Sequence, residues 1–284
     1  MKRVIITGGN SGIGYQAAKQ LAEKGWSVTL FCRRKEAAEQ ACEKICQQTG
    51  NPHIDYILVD LSDMKSIRKA AEQYIQKEDV LDVLINNAAD FDLSVKKPIL
   101  TKDGLEKQFA TNVVAPFLLS FLLKGLLEKS ESGRIINISS QGLILYPFMQ
   151  LDFENLSGQK RYSPAKTYYQ NKLALLMLSL YMRKHWKGIK VQAIRVTNVK
   201  VDMRRYDHLS AFMKKLYKIK SRFSISPEEM AKVYTALSTE DGYDGFLYDE
   251  KCREVKANRF AYEEAEQAKL YSLLEQLTFS RDNL

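Results

Sequence analysis

Seven short runs rich in β-branched residues alternate with longer stretches of helical periodicity, and this alternation constrains the fold more than any other feature. The runs lie at 3–7, 27–32, 54–60, 81–86, 134–139, 189–196 and 246–248. Val4-Ile5-Ile6, Val83-Leu84-Ile85 and Ile135-Ile136 are apolar without a break, as strands covered on both faces must be. Helical patterns fall near 12–24, 35–48, 63–77, 103–128, 164–186, 207–221, 227–238 and 261–277. Repeated strand–helix–strand units predict an α/β architecture, a doubly wound parallel seven-stranded sheet in three α/β/α layers. Ligands of such sheets bind beyond the carboxyl ends of the strands, where the strand order reverses. Functional residues are therefore sought just after strands.

The chain has 284 residues, 45% hydrophobic and 27% charged, enough to bury a sizeable core. It shows no repeat, no low-complexity tract and no Pro/Gly/Ser-rich linker, which predicts one domain over 1–284. Four cysteines in this length suit a reducing compartment. Cys42 and Cys46 lie one helical turn apart without a second ligand pair, so no metal site is expected. The apolar run ending at Thr7 is too short for a signal or membrane segment, and a cytoplasmic protein is expected. The net charge of +9 raises nucleic acid as a partner. The sequence carries none of the helix-turn-helix, aromatic RNA-binding or zinc-finger patterns, so none is predicted.

Thr7-Gly8-Gly9-Asn10-Ser11-Gly12-Ile13-Gly14 follows the first strand and opens the first helix. Glycines there allow a tight turn and close backbone approach to a pyrophosphate, while the helix N-terminus favours the anion. In that position the turn makes Gly8, Asn10, Ser11, Gly12, Ile13 and Gly14 candidates for binding a dinucleotide on a Rossmann fold; a purely structural turn is the plain alternative. The second strand ends in Cys32-Arg33-Arg34. An acidic residue here suits the ribose hydroxyl of NAD, whereas arginine suits the 2′-phosphate of NADP. A charge-assisted hydrogen bond contributes about 1.5–3 kcal/mol, so Arg33, seconded by Arg34, predicts NADP(H). Surface arginines heading a helix are the alternative.

Reduction of a carbonyl needs a proton donor at oxygen while hydride goes to carbon. A tyrosine has a pKa about three units too high for this near neutrality, a gap of about 4 kcal/mol that an adjacent ammonium narrows. Tyr and Lys at i and i+4 share one helix face. With 15 tyrosines, about 1.5 such pairs arise by chance; the chain has Tyr15/Lys19, Tyr162/Lys166 and Tyr168/Lys172. The first lies on the helix after the phosphate loop. Ser163-Pro164 reads as a helix start that leaves Tyr162 outside. Only Tyr168/Lys172 sits wholly on the helix after the fifth strand, with Tyr169 turned away as a packing residue.

Together these motifs resemble the short-chain dehydrogenase/reductase family across essentially the whole chain. The glycine spacing matches its T-G-x-x-x-G-x-G, Asn86-Asn87-Ala88-Ala89 resembles its N-N-A-G with Ala89 in place of the glycine, and Asp60-Leu61 resembles its adenine-contacting pair. The resemblance implies a catalytic set of Asn112, Ser140, Tyr168 and Lys172, with Ser139 the nearest decoy, and adds Asn87 and Ala88 to the cofactor contacts. In the family, the helix asparagine holds a water near the lysine. The 28 residues from Ser140 to Tyr168, Lys172-Leu173-Ala174 and Ser226-Pro227-Glu228-Glu229 look like the retinol-dehydrogenase-like branch. That branch acts on lipophilic carbonyls and alcohols with NADP(H), and many members are membrane-anchored. Two departures stand out: Val196-Thr197 replaces the usual Pro-Gly and Val201 a threonine, with Thr197 or Asn198 the residues placed to compensate.

Leu209, Phe212, Leu216, Ile219 and Phe223 recur at helical spacing among seven basic residues, so 204–223 reads as a substrate-covering lid, a peripheral membrane contact or an ordinary packed helix. Leu173, Leu176 and Leu180 serve either as a homodimer seam or as core. The combined expectation is an NADP(H)-dependent oxidoreductase for a lipophilic or aromatic carbonyl and its alcohol. A non-catalytic NADP(H) sensor or scaffold and a reductase of a carbon–carbon double bond are the alternatives.

Overall fold

All six strand pairings are parallel, and the order is β3-β2-β1-β4-β5-β6-β7. A computed structural model describes residues 1–156, 158, 160–200 and 224–280. The strands are β1 Arg3–Thr7, β2 Ser27–Cys32, β3 Ile54–Leu58, β4 Val83–Asn86, β5 Arg134–Ser140, β6 Lys190–Val196 and β7 Leu247–Tyr248. The order reverses between β1 and β4, so the crevice of this sheet opens beyond Thr7 and Asn86.

Helices cover both faces. α1 (Gly12–Glu23), α2 (Lys35–Thr49) and α8 (Pro227–Thr239) pack one side through Ala17, Leu21, Ile45 and Tyr234. α3 (Met64–Lys77), α5 (Ala115–Leu122), α7 (Pro164–His185) and α9 (Glu264–Phe279) pack the other through Ile67, Phe117, Leu178 and Leu270. The middle strands are thus sealed on both sides, which is why β1 and β4 carry apolar residues without alternation. Caps stop and start these helices where expected: Ser163 and Ser226 accept the amides of Lys166 and Glu229, each ahead of a first-turn proline.

The helix expected over 103–128 is broken. It comprises α4 Lys107–Phe109, a π-helical turn Ala110–Val114, α5, and α6 Lys124–Glu128. Pro116 has no N–H for the carbonyl of Asn112 four residues back, so the α ladder loses a rung just where the wider turn sits. Such π turns concentrate at functional sites. Strand β4 begins at Val83 and β3 ends at Leu58, each two residues inside its expected limit. Leu173 and Leu176 are fully buried within the chain, and Leu180 packs partly buried against the same core. The basic amphipathic stretch 204–223 and Val201 lie outside the described residues. No helix among the described residues is long and apolar enough to cross a membrane.

Candidate active site

The glycine turn occupies the crevice. Gly8 and Gly12 adopt φ of 64° and 60°, the left-handed region that favours glycine. A Cβ on Gly14 would lie 2.5 Å from Asn87 Nδ2 and 2.8 Å from the Gly8 carbonyl, so only glycine lets α1 approach β4. A Cβ on Gly12 would point into open space beside the first amides of α1. This bare, anion-favouring helix start fits the pyrophosphate of a dinucleotide. The loop is held from three sides. Asn87 Nδ2 donates to the Thr7 carbonyl at 2.9 Å, Ala88 N–H to Thr7 Oγ1 at 2.9 Å, and the Tyr234 hydroxyl to Asn87 Oδ1 at 3.2 Å. Beneath it, burial pushes the Cys32 thiol up to about 11, against the amides of Asn10 and Gly9 that donate to it. Ile13 packs partly into the core of that face.

Beyond β2, Arg33 and Arg34 are exposed, and Arg34 is the residue preceding α2. Arg33 lies close enough to Asp60 for their charges to interact. Partial burial opposes ionisation of Asp60, but the Ser62 hydroxyl and amide, with the Arg33 and Lys107 charges, hold its carboxyl below the usual range. Leu61 beside it packs against the α3 face. Arg33, Arg34, Asp60 and Leu61 therefore flank one end of the crevice, where an adenosine moiety would rest.

At the other end, α7 carries Tyr168 and Lys172. Lys172 is 2% exposed, and Nζ donates to the Ile138 carbonyl at 2.7 Å. Burial pushes its pKa down to about 8. Nζ lies 5.4 Å from the centroid of the Tyr168 ring, whose other neighbours are Phe91 at 4.2 Å and Tyr169 at 5.3 Å between centroids. The two decoy tyrosines are occupied elsewhere: Tyr15 donates to Gln48 on α2, and Tyr162 reaches Glu106 before α4. Tyr169 stacks on Tyr146 at 4.9 Å, a packing role.

Ser140 ends β5. Its Oγ accepts the Gly142 amide at 3.2 Å, a bond that leaves the hydroxyl proton available to donate. Ser139 is buried beside it, and both line a cleft of about 340 Å³. Asn112 uses its side chain on the main chain of Asp90: Oδ1 accepts the amide at 2.7 Å and Nδ2 donates to the carbonyl at 2.9 Å. It thereby fixes the segment that runs from Asn87 to Phe91. After β6, the Thr197 hydroxyl donates to Gln141 Oε1 at 2.5 Å, joining the turns that follow β5 and β6. The Asn198 carbonyl accepts the Ile225 amide. The sequence-predicted residues thus gather along one edge of the sheet, phosphate loop in the middle, with the Tyr/Lys pair and the arginines at opposite ends.

Sequence reasoning missed the support beneath them. Asn86 Nδ2 donates to Asn137 Oδ1 at 2.8 Å, Asn137 Nδ2 to Ser179 Oγ at 2.8 Å, and Ser179 to the Leu175 carbonyl, all buried. This ladder ties β4 to β5 and β5 to α7, directly below the reactive end. A signal existed: an asparagine inside a strand buried on both faces must find a polar partner. Phe91, Asp90, Tyr234 and Gln141 carried no such mark.

Comparison with known proteins agrees with this arrangement. The model of the short chain dehydrogenase family matches residues 2–210. Retinol dehydrogenase 13 of Mus musculus is 38% identical over 217 residues, covering 74% of this chain and 63% of that protein. The match therefore spans less than two thirds of that relative's length. Retinol dehydrogenase 14 of Mus musculus is 32% identical over 290 residues, covering 96% of this chain and 85% of its own. Among solved structures, an uncharacterised protein from Mycobacterium paratuberculosis superposes with a TM-score of 0.72 at 26% identity, covering 98% of this chain and 93% of its own. With its parallel sheet, glycine turn and Tyr168/Lys172 pair in place, the chain belongs to the short-chain dehydrogenase family, in its retinol dehydrogenase-like branch.

Proposed function

We propose that this protein is an NADP(H)-dependent oxidoreductase that interconverts a lipophilic carbonyl compound and its alcohol. The observation that carries the reading is the buried Lys172 ammonium held beside Tyr168 and bonded to Ile138, two residues before Ser140 on β5. An ammonium there favours the phenolate that Tyr168 becomes as it gives up its proton, against a gap of roughly 4 kcal/mol for a tyrosine near neutrality.

Gly8 to Gly14 would hold the pyrophosphate, Asp60 and Leu61 the adenosine end, Arg33 and Arg34 the 2′-phosphate, and Asn87, Ala88, Thr197 and Asn198 the nicotinamide end. A bound nicotinamide dinucleotide supplies or accepts the hydride at the carbonyl carbon. In the reducing direction the Ser140 hydroxyl donates to the substrate oxygen and Tyr168 delivers the proton. Lys172 spends one N–H on the Ile138 carbonyl, leaving two for the nicotinamide ribose and for the developing phenolate. The Asn112 carbonyl, denied a partner at Pro116, serves the proton route from Lys172 to solvent. Val196-Thr197 replaces the family's usual Pro-Gly, and the Thr197–Gln141 bond anchors the turn.

Consumption of NADPH with a panel of aromatic and long-chain aldehydes and ketones tests the activity. Tyr168→Phe is expected to lower turnover by at least a hundredfold while the fluorescence of bound NADPH persists. Near-normal turnover in that variant would sink the mechanism; cofactor binding without turnover of any carbonyl by the unaltered protein would favour a sensor.

A further inference from the structure

The cleft that begins at Ser140 has two unlike walls. Leu143, Ile144, Phe148, Leu176 and Leu247 supply apolar surface. Arg195, Lys256 and Arg259 supply three positive charges, and among the described residues no aspartate or glutamate lines the space. Arg195 stands on β6, paired in register with Ser139, and successive side chains alternate between faces. Val191 and Ala193 belong to the α7-side core and Ile194 to the opposite one, so Arg195 projects on the α7 side, into the cleft.

Arg195 Nε is buried without a hydrogen-bond partner, and among the described residues Arg195, Lys256 and Arg259 form no ion pair. Arg68 Nε is buried unpaired as well, but the rest of that guanidinium is held by the Thr278 carbonyl and the Phe279 ring, whereas the Arg195 side chain makes no hydrogen bond among the described residues. Arg134 binds the carbonyls of Leu237 and Glu240 and the carboxylate of Asp241, and Arg253 binds Asp249 through two nitrogens. Removing a guanidinium edge from water without a partner is costly. Such a group in a greasy cleft is explained if its partner is a ligand. Arg259, exposed at the mouth, lies over Phe148 at 5.2 Å, with Lys256 exposed nearby.

We propose that the substrate is an amphipathic anion: an otherwise apolar carbonyl compound bearing a carboxylate that seats on Arg195, with Lys256 and Arg259 drawing it in at the mouth. The proposal rests on the oxidoreductase reading only for the carbonyl at Ser140; the anion subsite stands on Arg195. A planar guanidinium matches a carboxylate with two parallel hydrogen bonds, and the hydrocarbon body then lies against Leu143, Leu176 and Leu247.

Calorimetric titration of the protein, with and without NADP⁺, by 4-formylbenzoate and by its methyl ester tests this. The carboxylate is expected to bind at least tenfold tighter than the ester. Arg195→Met should bring the ratio within about twofold, Arg195→Lys should keep part of it, and the double variant Lys256→Ser/Arg259→Ser, altered only at exposed positions, should lower it about threefold. Equal or tighter binding of the ester, or a preference that survives in a folded Arg195→Met protein, would overturn the proposal. If the carboxylate binds selectively but neither aldehyde consumes NADPH, the reductase reading fails and the anion subsite remains.

Discussion

Lys172 Nζ donates a 2.7 Å hydrogen bond to the carbonyl of Ile138, two residues before Ser140 on the strand that ends at the site. The bond holds the ammonium in place before any cofactor arrives and couples α7 to β5 at the reactive end.

From that burial follows a pH dependence. Burial lowers the Lys172 pKa to about 8, so the group is an ammonium below that value and neutral above it. Support for the tyrosine is present on the acid side and lost as pH rises through 8. The kcat/KM for carbonyl reduction at saturating NADPH should fall about tenfold per pH unit above about 8. A flat profile to pH 10 would show that the lysine charge does not matter.

Asn112→Ala removes both bonds to the Asp90 main chain. At about 1 kcal/mol each, stability should drop by about 1–2 kcal/mol, read from denaturant midpoints. Turnover should fall further than that loss implies, because the Asn87–Phe91 segment and the Phe91 ring against Tyr168 lose their anchor. Unchanged turnover at a lowered midpoint would make Asn112 structural only.

Gly14→Ala places a methyl where Asn87 now reaches Thr7. Asn87 must move, taking with it the link from the loop to β4. NADPH affinity, followed by nucleotide fluorescence, should weaken by at least tenfold while circular dichroism stays native. Retained affinity would show that the loop tolerates a shift at its most crowded point.

Arg33→Ala tests the choice of nucleotide. Losing a charge-assisted bond of about 1.5–3 kcal/mol should lower the NADPH-to-NADH ratio of kcat/KM about tenfold to a hundredfold. An unchanged ratio would assign both arginines to the solvated start of α2.

The alternation of runs determined the seven parallel strands, their layers and the crevice after β1, because burial on both faces leaves a strand few options but unbroken apolar residues. Local rules likewise placed the start of α7 at Ser163-Pro164 and so separated Tyr168 from Tyr162. The π turn at Ala110–Val114 was not legible as a break, since the helical pattern runs on through Asn112 and Pro116 across 103–128.

Only the tertiary structure decided what surrounds each group. It set the Lys172–Ile138 bond, the Asn86–Asn137–Ser179 ladder, the Thr197–Gln141 link across two turns, and the unpartnered Arg195 facing the cleft. The bonds among these join residues tens of positions apart, and sequence patterns report the face a side chain occupies but not which distant group, if any, meets it there. The chemistry of Tyr168 and Lys172 is local to one helix; the charge state that makes it work, and the ligand it would serve, depend on burial that exists only once the chain has folded.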